Sequence, residues 1–364
     1  MINKLVFANL RHRPVRTALS VLAIGVEVTM MLTLVGLSEG MLEDSSRRAR
    51  GVGADVLVRA PGTSLIGMSS ASMNEKLIGF FAKQPHVRAV TGTVVYPIGG
   101  VNTITGIDLD EFNRISGGFR YIEGGPFRRP DDMIVDEYYA RQNNIQLGST
   151  VKLLDRNWHI CGIAEPGKLA RLVIPRRTLQ ELTSTTGKLS SIFLKLDNPA
   201  KTNQVVAGLK RLLPDYPIYS MEELTSLYSV NNVPGLRAFI GVIVGLSIVV
   251  GFLVVFLSMY TAVLERTREI GILKSLGASP AYILNMIFRE TVLLAVVGTI
   301  FGILLTYGSR WAIETLVPAS LIQKIVPGWW PIAGAISVFG ALLGAMYPAW
   351  KAARQDAIEA LAYE

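Results

Sequence analysis

The stretch Glu265–Ile283, ERTREIGILKSLGASPAYI, lies between two long apolar runs. Ala238 to Leu264 carries no charge, and neither does Thr291 to Ser309. Ile270, Ile272, Leu273 and Leu276 give the stretch an apolar side. Glu265 with Arg268, and Arg266 with Glu269, have the i,i+3 spacing of surface ion pairs on a helix. Gly277 stands where a helix C′ residue is expected. Ser279 and Pro280 follow as an N-cap and first position of a new helix. The reading is a charged elbow in which one helix ends and another begins within three residues. Topology alone would need only a polar loop, so a defined elbow suits a force-bearing contact to a cytoplasmic partner.

Working outward, each flanking run is long enough to cross a bilayer, which takes about 20 apolar residues. The chain has 364 residues, 50% hydrophobic and 18% charged, with mean hydropathy +0.38. That composition points to a membrane protein. Four spans are expected: 17–40, interrupted by Glu27, then 236–264, 287–309 and 330–350. The second is long enough to tilt or to continue as a stalk. Net charge is +8, but the basic residues gather at span ends and do not call for nucleic acid. Arg and Lys in 1–16 (an amphipathic segment), in the elbow 265–286 and in the tail 351–364 place these three regions in the cytoplasm by the positive-inside rule. Residues 41–235 then form a large extracytoplasmic domain and 310–329 a small outer loop. The interrupted first span, with no cleavage site directly after it, reads as an uncleaved anchor.

Residues 41–235 mix strand-like stretches (ADVLVRA, VTGTVVYPI, VNTITGID, MIVDE, TVKLL, HICGI, LVIP, SIFLKL) with helix-like ones (NEKLIGFFAKQ, DEYYARQNN, RRTLQELTS, NQVVAGLKRLL). An α/β domain follows, with TSLIGMSSASMNE as a loop. The fold class is thus four transmembrane α-helices with a large α/β domain inserted between helices 1 and 2. The single cysteine, Cys161, belongs in a strand.

No Walker A motif is present, so the chain binds no ATP by that route. His12, His86 and His159 are scattered and suggest no metal site. GLSEG at 36–40 matches G-x-S-x-G, but a nucleophile elbow needs a strand before it and a helix after it. Here the motif closes a span, so no catalytic residue is expected. Each of the last three spans carries a G-x-x-x-G pair: Gly241 and Gly245, Gly298 and Gly302, Gly340 and Gly344. Such pairs make smooth faces for close helix contact, within the chain or across a homodimer seam. Glu27 and Glu290 are intramembrane carboxylates that should face protein or water. For Glu290, an interfacial position beside Arg289 is the plainer reading.

The elbow motif and the ending YPAWKAARQDAIEALAYE resemble the MacB/FtsX-type ABC transporter permeases. Ala357 stands where the family commonly has Pro. ITGIDLDEF, IVDEYYARQNNIQLGSTVKLL, GIAEPGKLARLVIP and LPDYPIYSMEEL are similar to that family's periplasmic core domain. The resemblance implies a bacterial inner-membrane permease without a fused ATPase, forming a homodimer or paralogous heterodimer and working with a cytoplasmic ABC ATPase that binds ATP and Mg. It implies that Glu265, Arg266, Arg268, Glu269, Gly271, Lys274, Gly277 and Ala278 face that ATPase. ATP-driven motion would pass through the second span to the outer domain. Export of an amphiphilic compound, peptide or lipid-like substrate is the first expectation. The alternatives are a non-transporting scaffold that regulates an outer enzyme or adaptor, and a lipoprotein-releasing permease. Some members also engage a periplasmic adaptor.

Overall fold

The computed structural model describes residues 14–63, 72–99, 102–229, 232, 234–316 and 321–356. The 1–13 part of the N-terminal segment, 64–71 of the expected loop, 317–320 of the outer loop and 357–364 of the tail lie outside them. The chain divides into two units. One comprises 1–39, 234–313 and 323–364, the other 40–233 and 314–322.

In chain order the elements begin with helix α1 (Pro14–Gly51), β1 (Val56–Arg59), β2 (Met73–Asn74), α2 (Leu77–Phe81), β3 (Val87–Gly99) and β4 (Asn102–Ile107). Next come α3 (Leu109–Ser116), β5 (Tyr121–Gly124), β6 (Asp132–Asp136), α4 (Glu137–Gln142), β7 (Thr150–Leu153), β8 (Arg156–Ala164) and β9 (Leu172–Pro175). They continue with α5 (Arg176–Leu182), β10 (Lys188–Leu189), β11 (Ser191–Leu196), α6 (Thr202–Leu212), β12 (Ile218–Ser220) and α7 (Met221–Leu227). The chain then runs through α8 (Pro234–Glu265), α9 (Thr267–Ser275), α10 (Pro280–Leu316) and α11 (Trp330–Arg354).

The α/β unit is built on one mixed sheet in the order β12-β1-β11-β3-β4-β9-β6-β8-β5, with β7 paired to β8. Hairpin neighbours pair antiparallel, whereas β4–β9 and β6–β8 run parallel. The period-two alternation of strand side chains gives the sheet two apolar faces. Val56 and Val58 point to one, with Ile104, Leu194 and the helical residues Val205 and Leu209. Leu57 points to the other, with Phe193, Ile107 and Val173, covered by Val52 at the end of α1, Phe112 and Ile115 of α3, and Leu224 of α7. The end of α1 is tied down by charge. Asp44 accepts from Arg171 of the β9 approach at 3.0 Å and lies 3.3 Å from Arg48. Nearby Asp136, buried beside these groups, has its carboxyl pushed up to about 6 by burial, against the pull of the Tyr139 N–H, Arg171 and Arg48.

All eight strand-like stretches contain strands and all four helix-like stretches contain helices. Four short strands (β2, β5, β10 and β12) and the helices α3 and α7 are additional to the sequence reading. Both extra helices open on a capping signature. The Asp108 carboxylate accepts from the Glu111 N–H, and the Ser220 hydroxyl from the Glu223 N–H, each at 3.0 Å.

Among the described residues, four helices are long and apolar enough to cross a membrane: Pro14–Gly51, Gly235–Glu265, Pro280–Leu316 and Pro327–Arg354. They overrun the expected spans at several ends, α10 by beginning at Pro280. The shared core holds Ile24, Val28, Val255, Met259, Leu294 and Ala341.

Candidate coupling elbow and the helix seams

Why α9 stops where it does is visible in its hydrogen bonds. Gly277 has φ +93°, the left-handed conformation that glycine adopts without a steric penalty. Its N–H donates to Lys274 O and that of Ala278 to Leu273 O, both at 2.9 Å. This is a Schellman closure, which satisfies carbonyls the helix would otherwise leave open. The Ser279 hydroxyl then accepts from the Tyr282 N–H at 3.2 Å, and Pro280 begins α10. The elbow is therefore a fixed turn.

Its side chains split into two groups. Arg266, 9% exposed, turns inward, and its guanidinium donates to both carboxylate oxygens of Glu290, at 3.0 and 3.3 Å. Gly271 is buried. The Lys274 ammonium donates to the carbonyls of Ala353 (2.7 Å) and Gln355 (2.5 Å), at the end of α11. That is a favourable place for a cation, because the last carbonyls of a helix carry its negative pole. Glu265 pairs with Arg16 at the start of α1. These braces tie the elbow to the other three long helices. The i,i+3 pairs expected from spacing do not form among the described residues: Arg266 prefers a buried carboxylate 24 positions away.

Arg268 and Glu269 are exposed. One and two turns on, so are Ile272 (45%) and Leu276 (79%). Gly277 is exposed and Ala278 half-buried. The sequence reading did not select Ile272 and Leu276 as contact residues, nor Arg16 as a brace. Large aliphatics on the outward side of a charged helix were the available signal for the first two. Nothing local marked Arg16.

The glycine pairs also divide. A methyl on Gly298 would come 2.7 Å from Ile24, and one on Gly302 would meet Gly25 O at 2.6 Å, so this pair seats α10 on α1. Thr29 donates across the same seam to Gly302 O at 2.9 Å. A methyl on Gly344 would lie 2.5 Å from Phe252 O, so the Gly340 and Gly344 face seats α11 on α8. A methyl on Gly241 or Gly245 would meet nothing within 4 Å among the described residues. Around them Val242, Leu246 and Val249 are at least half exposed.

Glu27 is buried against α8, where a Cβ on Gly251 would come 2.5 Å from Oε2. Glu290, expected as an interfacial residue beside Arg289, is instead the buried partner of Arg266. Ser38 lies within α1 and donates to Leu34 O at 2.8 Å, so GLSEG forms no strand-turn-helix. His86 pairs with Asp197 and His159 with Asp132, and His12 is outside the described residues. No group of three or more metal-ligating side chains occurs among the described residues. Cys161 sits in β8, where burial pushes its thiol up to about 12.

Two family models match the chain. The MacB-like periplasmic core domain aligns with residues 17–212, and the FtsX-like permease C-terminal model with residues 241–357. The macrolide export ATP-binding/permease protein MacB of Hahella chejuensis is 26% identical over 385 residues, covering 97% of this chain and 58% of that protein. The uncharacterized ABC transporter permease YknZ of Bacillus subtilis is 38% identical over 153 residues, 41% of this chain and 37% of that protein. A solved periplasmic region of MacB from Actinobacillus actinomycetemcomitans aligns at TM-score 0.38 and 17% identity, covering 50% of this chain and 96% of that one. The chain thus spans 58% of the length of the MacB relative. With more than half its residues in the core-domain match and most of the rest in the permease match, the chain belongs to the ABC transporter permease family that joins a MacB-like periplasmic core domain to an FtsX-like C-terminal region.

Proposed function

We propose that this chain is the permease subunit through which a separate cytoplasmic ABC ATPase drives conformational change in the α/β domain, for export of an amphiphilic compound, peptide or lipid-like molecule. ATP and Mg are bound by that ATPase. The elbow and both chain ends face the cytoplasm, and the α/β domain lies outside the membrane. The observation that carries this reading is the pairing of an exposed ridge (Arg268, Glu269, Ile272, Leu276) with inward braces (Arg266 to Glu290, Lys274 to the end of α11) on one short helix. A ridge that is pushed transmits displacement only if its base is rigid, and this base is fixed by charge and by a Schellman turn. The open Gly241 and Gly245 face is the seam for a second copy of the chain.

The test is co-purification from lipid nanodiscs with a candidate cytoplasmic ABC ATPase of the same organism, using Leu276→Asp. Recovery of the complex with the unaltered chain, and its loss with Leu276→Asp, supports docking at the ridge. Equal recovery of both would remove the ridge as the contact.

A further inference from the structure

The α/β unit contains a cavity of about 200 Å³ that the coupling function does not use. Its floor is the face of the sheet that carries Leu57 and Phe193. Strand register puts Arg59 opposite Ser191 and Ser191 opposite Thr93, so a guanidinium and two hydroxyls stand in one row across three strands. Leu57 and Phe193 make the next row. The roof comes from the end of α1, through Arg48 and Val52, and from α7 with the residue beyond it, through Leu224 and Tyr228.

The charge in this space is one-sided. No Asp or Glu among the described residues lines it. Arg48 is answered by Asp44, whereas Arg59 has no acidic partner among the described residues. Arg48, Arg59 and Tyr228 all line the same space. Thr105, 2% exposed, also lines the cavity. An apolar wall with a few convergent polar groups is the usual make-up of a small-molecule site.

We propose that this cavity binds a small amphiphile with a single anionic head, carboxylate or phosphate. The head meets Arg59 and the Ser191 and Thr93 hydroxyls, and the carbon chain lies over Leu57, Phe193 and Leu224. The volume equals that of about six or seven water molecules, so it accepts a short-chain acid or the head and first carbons of a longer molecule. An occupant would touch the end of α1, the sheet and α7 at once. The site stands whether its ligand is the exported molecule or an effector.

The test is calorimetric titration of the full chain in phosphatidylcholine nanodiscs, without the ATPase. Hexyl phosphate and hexanoate are the probes, with inorganic phosphate and hexylamine as controls. At least one probe should bind, and inorganic phosphate and hexylamine should bind at least tenfold more weakly. Arg59→Met, which keeps an apolar stem and removes the charge, should weaken the probe by about tenfold or more, the usual worth of a charge-assisted hydrogen bond. Thr93→Val, nearly isosteric, should weaken it several-fold with the thermal unfolding midpoint unchanged, which guards against misfolding of the first variant. Equal affinity for hexylamine, equal affinity for inorganic phosphate, unchanged binding in both variants, or no binding of either probe would each overturn the proposal. Because no ATPase is present, such a failure leaves the coupling reading intact. A failed elbow would in turn leave this binding unchanged.

Discussion

The Gly340 and Gly344 pair of α11 and the Gly241 and Gly245 pair of α8 share one motif and have opposite surroundings. The first lies so close to α8 that a methyl on Gly344 would meet the Phe252 carbonyl; a methyl on either residue of the second would meet nothing within 4 Å among the described residues. The same division runs through the elbow, where Arg266 and Lys274 are committed to the bundle while Arg268 and Glu269 stay exposed. A motif therefore announces that a surface can be approached closely, and not which neighbour approaches it. Where the chain fills the surface itself, the residue is structural. Where it leaves an apolar or charged face open, the residue is available to a partner.

The inward side should yield the largest effect. Arg266→Ala strands the buried Glu290 carboxylate, and removing one member of a buried pair costs about 3–5 kcal/mol. Thermal unfolding in detergent should show a clear drop in midpoint, whereas Arg268→Ala should leave it within error. Equal midpoints for the two would erase the distinction between brace and ridge.

Next in size is Gly344→Val. Overpacking typically costs about 1–3 kcal/mol, and here the obstacle is backbone, which yields little. Gly241→Val should change the same unfolding midpoint negligibly, since it points into open space. Matching losses would mean that the two seams are alike after all.

Glu269→Lys should leave the fold unaltered and weaken ATPase docking about tenfold, the worth of roughly one charge-assisted contact. A binding curve in nanodiscs reads this directly. The smallest energetic change sharpens the comparison most: Gly241→Cys should be neutral in stability yet form an oxidised dimer on a denaturing gel. Failure to cross-link would mean that the open face meets lipid only.

Much of this was legible in the sequence, for identifiable reasons. Val/Ile-rich stretches marked the strands because a pleated, half-buried surface selects those side chains. Gly277, Ser279 and Pro280 marked the elbow because each satisfies a local backbone requirement within a few residues. Helices α3 and α7 were not read, although Asp108 with Glu111 and Ser220 with Glu223 carried the capping pattern. What stayed hidden was long-range. The parallel pairing of β4 with β9 joins segments more than sixty positions apart. The Arg266 to Glu290 pair could not be inferred while Arg268, Glu269 and Arg289 offered nearer partners. The cavity row of Arg59, Ser191 and Thr93 exists only once three distant strands are in register.

The central claim is that an outward ridge on a rigidly braced elbow receives force from an ATPase. The most direct measurement is ATP hydrolysis by the reconstituted complex in nanodiscs, with the unaltered chain and with Glu269→Lys. Stimulation of hydrolysis by the unaltered chain and its loss with Glu269→Lys, at an unchanged unfolding midpoint, is the predicted result. Full stimulation by Glu269→Lys would contradict the account and detach the elbow from the coupling.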